Sequence, residues 1–128
     1  MASKGKPYRT VVHEGFEILV GRGEDDNDYL TFDVAEPHDV WLHVGDGTPG
    51  SHVVIRNPKK GAVKDVPRSV IERAAALAAW YSKARSSKKV EVHYCLAREV
   101  SKPRGAPAGL VELERWDDIK VVPAGIES

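Results

Sequence analysis

Two short segments joined by a run of turn formers constrain this chain more than any other feature. Residues 40–44 read Val-Trp-Leu-His-Val and residues 52–56 read His-Val-Val-Ile-Arg, separated by Gly45, Asp46, Gly47, Thr48, Pro49, Gly50 and Ser51. In the first segment Val40, Leu42 and Val44 alternate with Trp41 and His43, the period of two that sends alternate side chains to opposite faces of a strand. The Gly/Asp/Pro-rich link is turn chemistry and returns Ser51 and His52 towards Trp41 and His43. An aromatic, imidazoles and small hydrogen-bonding groups gathered on one surface suit a flexible polar ligand. Single-stranded RNA is the commonest such ligand for a small intracellular module.

The length of 128 residues fits one domain, since a chain of this size buries roughly two thirds of its unfolded surface. Hydrophobic content of 41% and charged content of 30% are ordinary for a soluble protein. No apolar run approaches the roughly 20 residues needed to span a bilayer, and the start Met-Ala-Ser-Lys-Gly-Lys has no signal-peptide core. These features predict a cytoplasmic protein with no membrane partner. A lone cysteine, Cys95, excludes an internal disulfide framework and falls in an expected buried strand, where packing is its expected role.

The net charge is zero, but its distribution is uneven. Residues 14–46 hold ten acidic side chains and one basic one, Arg22, whereas residues 56–104 hold thirteen basic and four acidic ones. Kept on separate surfaces, these segments would make the molecule a dipole with one basic face; the alternative is two solvated surfaces that partly neutralise each other.

Along the chain, residues 1–7 read as a disordered tail. Residues 10–13 and 16–20 are strand candidates joined around Glu14-Gly15. Gly21-Arg22-Gly23 leads into an acidic loop at residues 24–28, and residues 29–34, 40–44 and 52–56 read as strands. A basic loop follows, then a helix entered through Pro67 or through a capping box at Ser69-Val70-Ile71-Glu72 and running to about Arg85. Val70, Ala74, Leu77, Ala78 and Tyr81 make its buried stripe, and Lys83 and Arg85 complement its dipole. Residues 90–96 alternate as a strand, residues 99–109 are irregular, and residues 110–113 and 119–122 close the set. The fold class is therefore α+β: a single domain with a mainly antiparallel sheet and one long helix packed on it.

These pieces, taken in order, resemble one family. Gly21-Arg22 with Asn27, Asp39-x-Trp41-x-His43, Pro49-Gly50-Ser51-His52, the helix from Ala74-Ala75 to Tyr81-Ser82, and Val100-x-Lys102-Pro103-Arg104-Gly105 with Gly109 are similar to the NFACT-R domain. The likeness covers about residues 10–123, giving a domain at 8–124 between the tail at 1–7 and a C-terminal tail at 125–128. In NFACT proteins this is the C-terminal RNA-binding part of factors that bind stalled large ribosomal subunits and peptidyl-tRNA; some bacterial members are labelled fibronectin-binding proteins. The full-length proteins also carry an N-terminal domain, a helix-hairpin-helix segment and a coiled coil, none of which fits here. The chain therefore reads as a stand-alone form. The resemblance implies RNA binding, with tRNA or ribosomal RNA as partner in ribosome quality control and the large ribosomal subunit as a further partner. It implies neither the tailing activity of the large factors nor a cofactor. The loop at residues 24–28 departs from the family in its acidity, which beside a binding face repels phosphate.

The candidate RNA-binding residues are Arg22, Asn27, Asp39, Trp41, His43, Gly50, Ser51, His52, Lys102 and Arg104. Trp41 either stacks on an unpaired base or packs beneath the helix, because sequence does not fix its face. Gly50 allows close backbone approach, Ser51 supplies a hydroxyl, and His52 can donate to a phosphate or stack. Arg22 between two glycines either reaches a phosphate as a bidentate donor or pairs with the acidic loop. Lys102 and Arg104 lie in a loop too irregular to need them for packing and are read as phosphate contacts. Asp39 either orients His43 or His52, or ends the turn after Pro37-His38.

Two other classes compete. A protein-interaction module would dock on a ribosomal or NFACT-type partner through the helix or the acidic loop. A hydrolase would use Ser51-His52 with Asp39, or a metal held among His38, Asp39, His43, His52 and His93. Neither constellation has a recognised spacing, and no Gly-x-Ser-x-Gly elbow is present. The reading is of a non-catalytic module with no metal; its oligomeric state is left open.

Overall fold

The computed structural model describes residues 6–126. Strands β1 (Tyr8–His13) and β2 (Phe16–Gly21) form a hairpin whose turn places Glu14 and Gly15 at φ 51° and 84°, a conformation glycine takes without penalty. With β3 (Val40–Val44), β4 (Val53–Ile55), β5 (Val90–Leu96) and β8 (Asp117–Val121) they make a six-stranded sheet in the order β1-β2-β4-β3-β5-β8, every neighbouring pair antiparallel. The short strands β6 (Val100–Ser101) and β7 (Glu112–Leu113) pair separately, so the expected closing strand at residues 110–113 belongs to this ribbon.

Helix α2 (Arg68–Trp80) covers one face of the sheet. Val70, Ala74, Leu77 and Ala78 are fully buried in one cluster with Ile18, Val20, Leu42, Val53 and Val92. The small alanines let the helix approach closely, and burial of this stripe is the main source of its stability. The helix is entered through Pro67, whose carbonyl accepts the amides of Val70 and Ile71; Ser69 donates instead to Glu14 at 2.8 Å, so the alternative capping box does not form. The fold is α+β as read, but one long helix is not what it holds. Helix α2 has 13 residues and stops at Trp80, not near Arg85. The reason is tertiary: the next residues are captured by the loop before β4, with Ser51 N donating to Tyr81 O and Lys83 N to Pro49 O.

The second face of the sheet is buried as well. Residues 24–34 are helical, neither loop nor strand: helix α1 (Glu24–Tyr29) runs into a π-helical turn, Leu30–Val34. Thr31, Phe32 and Val34 carry strand propensity, but Asn27, Leu30 and Thr31 fall on one helical face, and these are the buried ones. Leu30 joins Leu19, Trp41, Val54, Cys95, Ala97 and Val100 in a second core on this face. Trp41 is 1% exposed, which overturns its reading as an exposed stacking surface and also as a residue under the long helix. Cys95 is a free, buried thiol, and burial pushes its pKa up to about 12.

The acidic and basic segments do not separate fully. Asp28 pairs with Lys102 at 2.9 Å and Asp39 with Arg56 at 3.0 Å, so each pair ties one segment to the other and weakens the expected dipole. Of the expected tails, Pro7 accepts the amide of Arg22 and Gly125 accepts from Arg73, while residues 1–5 and 127–128 lie outside the described residues.

Candidate nucleic-acid groove

Four stretches meet at the end of β3: the start of α1, the loop between β3 and β4, the end of α2 with the residues that follow to 86, and residues 107–113. They enclose an open groove of about 1130 Å³. Its floor is an aromatic cluster. His43 stacks on Trp41 with centroids 6.0 Å apart and 18° between planes, and His52 stands edge-on to both, at 5.1 Å from Trp41 and 5.3 Å from His43.

One chain of hydrogen bonds fixes the protons of this floor. The Trp41 indole can only donate, and it does so to Thr31 Oγ1 at 3.0 Å. The Thr31 hydroxyl hydrogen is then free for His52 Nδ1 at 2.8 Å, which makes Nδ1 the acceptor and places the imidazole proton on Nε2. That Nε2 donates to the carbonyl of Gly109 at 3.2 Å. Burial first, and the neighbouring His43 second, lower the His52 pKa to about 4; burial likewise lowers that of His43.

The candidate residues divide by what they touch. Asn27 Oδ1 accepts the His52 amide at 3.1 Å and its Nδ2 reaches Gly50 O, so Asn27 pins the loop from beneath. Ser51 donates its hydroxyl to Gly21 O at 2.7 Å, and Gly50 lies against Ser82 so closely that a Cβ would stand 2.6 Å from the serine's own. Gly50, Ser51, His52, His43, Trp41, Asn27 and Arg22 all line the groove. Arg22 is exposed there and forms no ion pair among the described residues, so its expected alternative partner, the acidic run, does not take it.

Asp39, Lys102 and Arg104 are not brought to this site as ligand contacts. Asp39 is buried elsewhere, accepting from Arg56 at 3.0 Å, Asn57 N at 2.9 Å and Glu36 N at 2.9 Å; it orients neither His43 nor His52. Its role is the turn-ending one. The Lys102 ammonium contacts Asp28, Pro107 O and Leu110 O, and the other Asp28 oxygen accepts Gly109 N at 3.1 Å. Lys102 is thus a strut beneath the loop that caps His52. Arg104 is exposed outside the groove lining. The hydrolase constellation is not assembled, because Ser51 points to Gly21 O and Asp39 to Arg56.

Three cations of the groove were not among the candidates. Arg9 lies over the Tyr81 ring at 4.6 Å, Arg85 over Trp80 at 4.3 Å, and Lys83 stands between them in sequence. Lys83 and Arg85 lie beyond the helix end, not in its last turn, so dipole complementation is not their role. Lys83 and Arg85 lie in the turns that follow α2 and Arg9 in β1, so no regular period in the sequence marks them as one set. Among the described residues, Glu91, His93 and Asp118 also bring three metal-ligating atoms within 4.8 Å of one another, in an arrangement that equally describes an imidazole held by two acids.

A family model described as the NFACT protein RNA binding domain matches residues 6–114. The chain belongs to the NFACT-R family. The protein named Rqc2 homolog RqcH of Bacillus subtilis (strain 168) is 40% identical over 125 residues, covering 94% of this NFACT-R chain and 21% of its own length. The protein of the same name from Streptococcus suis (strain 05ZYH33) is 39% identical over 119 residues, 92% of this chain and 20% of its own. The NFACT-R chain thus spans about a fifth of the length of these relatives. The solved structure of the C-terminal part of the fibronectin/fibrinogen-binding protein from Streptococcus suis superimposes with a TM-score of 0.85 at 37% identity, covering 96% of this chain and 48% of that one.

Proposed function

We propose that this NFACT-R domain is a non-catalytic RNA-binding module that seats a single-stranded segment of tRNA or ribosomal RNA in its groove, in the cytoplasm and in the setting of ribosome quality control. The observation that carries the reading is the composition of the groove. Arg9, Arg22, Lys83 and Arg85 line it against two acids, Glu24 and Asp46, above a floor of neutral aromatic rings. Cations along a channel take phosphates, and unpaired bases find the half-buried rings of His43 and Tyr81 between them. The large ribosomal subunit is a further partner on this view, consistent with relatives named Rqc2 homolog RqcH.

A non-catalytic role is supported by the state of the histidines and the serine. His52 uses both ring nitrogens inside the protein, and Ser51 gives its proton to a backbone carbonyl. Neither is poised for proton transfer to a bound substrate. Among the described residues no helix is long and apolar enough to cross a membrane.

Fluorescence anisotropy of the domain with labelled tRNA, a ribosomal RNA hairpin and a duplex DNA of equal length, over a salt series, tests the reading. Saturable RNA binding that weakens with salt and exceeds binding to duplex DNA is expected. No RNA binding at low salt, or equal binding to duplex DNA, overturns it.

A further inference from the structure

Resting on the groove's reading as an RNA site, we propose that Trp116 is a stacking platform for one unpaired nucleobase at the His93 wall of the groove. Of the three tryptophans, Trp41 is 1% exposed, Trp80 is half-buried under Arg85, and Trp116 is 48% exposed. Trp116 belongs to neither core cluster. It stacks instead on an imidazole: its ring centroid lies 5.3 Å from that of His93, with 28° between the planes. One face of the indole is thereby covered and the other left to solvent, at the side of a residue that lines the groove.

The platform is held from its covered face and through the residues that flank it in the chain. His93 Nε2 lies 3.2 Å from a carboxylate oxygen of Glu91 and 3.2 Å from one of Asp118, which fixes the imidazole that backs the indole. Just before Trp116, Glu114 N donates to Glu99 O at 2.8 Å and Arg115 pairs with Glu99 at 3.2 Å; just after it, Asp117 opens β8. A surface ordered before binding loses little freedom when a ligand lands on it. Glu91 and Asp118 lie outside the groove lining but contact His93, which belongs to it, so they repel phosphate beside that wall, whereas Arg9, Arg22, Lys83 and Arg85 attract it elsewhere. A base is therefore the part of the strand that this end accepts. Stacking tolerates any base but requires an unpaired one, so the ligand is single-stranded here.

The test compares wild-type protein with W116A and W116F, using a labelled single-stranded oligoadenylate and reading both anisotropy and tryptophan emission. W116A is expected to weaken binding roughly 5- to 150-fold with little change in salt slope, and W116F to restore most of it. Addition of the strand is expected to quench wild-type tryptophan emission, and W116F to lose most of that quenching. If W116A binds as wild type while R22A binds more weakly, the platform falls and the groove reading stands. If wild-type protein binds RNA without quenching, the platform falls again, whatever the variants do to folding. If wild-type protein binds no RNA even at low salt, the groove reading fails first.

Discussion

His52 donates its Nε2 proton to the carbonyl of Gly109, 57 residues further along the chain, at 3.2 Å. The bond closes residues 107–110 over the aromatic floor, and it exists because the opposite ring nitrogen is already an acceptor for Thr31. A neutral imidazole serves both partners; a doubly protonated one would turn Nδ1 into a second donor facing a hydroxyl that must then reverse.

That arrangement makes the fold sensitive to mild acid. The unfolded chain protonates His52 near 6.5 and the folded protein near 4, so between these values the unfolded state holds the extra proton. Stability is therefore expected to fall as pH drops from about 6.5 to about 4, by about 3 kcal/mol for this group, and to level off below both values. The lowered pKa of His43 acts in the same direction. Urea unfolding across this interval reads the slope, and H52Q should be less stable at neutral pH yet show a clearly flatter dependence. An unchanged slope in H52Q would remove His52 as the cause.

Trp41 anchors the same chain from below. W41F removes the donor to Thr31, leaving that hydroxyl one partner short, and puts a smaller ring in the indole's place. A loss of about 2 kcal/mol is expected from chemical denaturation, against about 3 to 5 kcal/mol for W41A, where a larger cavity opens in the second core. Because Trp41 carries no charge, neither change should alter the salt slope of RNA binding.

The strands around Trp41 were legible because their signals are local: Val40, Leu42 and Val44 set the alternation, and the glycines and Pro49 set the turn. The stripe Val70, Ala74, Leu77 and Ala78 fixed α2 in the same way. Its end was not legible, since Trp80 is the last helical residue only because Ser51 and Pro49, far back in the chain, bond Tyr81 and Lys83. Helix α1 escaped for a similar reason: it is held by Asn27 bonded to the His52 amide, across 25 positions. With residues 24–34 read as loop and strand, no element was at hand to cover the second face of the sheet, and the face of Trp41 stayed undecided. Of the groove, Arg22, Asn27, Trp41, His43, Gly50, Ser51 and His52 were found from two strands and the loops beside them, while Arg9, Lys83 and Arg85 come together through the sheet and the helix end.

Gly21 and Asn27 occupy one space. A Cβ at position 21 would stand 2.1 Å from Asn27 Oδ1, the atom that accepts the His52 amide. G21A should therefore displace Asn27, cost stability and weaken RNA binding through the loop it holds. N27A also costs stability but leaves room for that methyl. The double variant G21A/N27A is expected to be more stable than the sum of the single changes predicts, with a coupling of about 1 to 2 kcal/mol in a denaturation cycle. Strict additivity would show that the two residues do not share the strain.

Lys102 and Arg22 separate a strut from a phosphate contact. The Lys102 ammonium is enclosed by Asp28, Pro107 O and Leu110 O, whereas Arg22 is exposed on the groove with no ion pair among the described residues. K102M should raise amide exchange and protease cutting within residues 103–111, and D28N should do the same, because both cut the tether between that loop and α1. R22A should leave exchange in the loop as it was and lower the salt slope of RNA binding by about one unit. If K102M instead changed the salt slope while the loop stayed protected, Lys102 would be the phosphate ligand that its place in an irregular, proline-rich segment first suggested, and the contact to Asp28 would be one that RNA displaces.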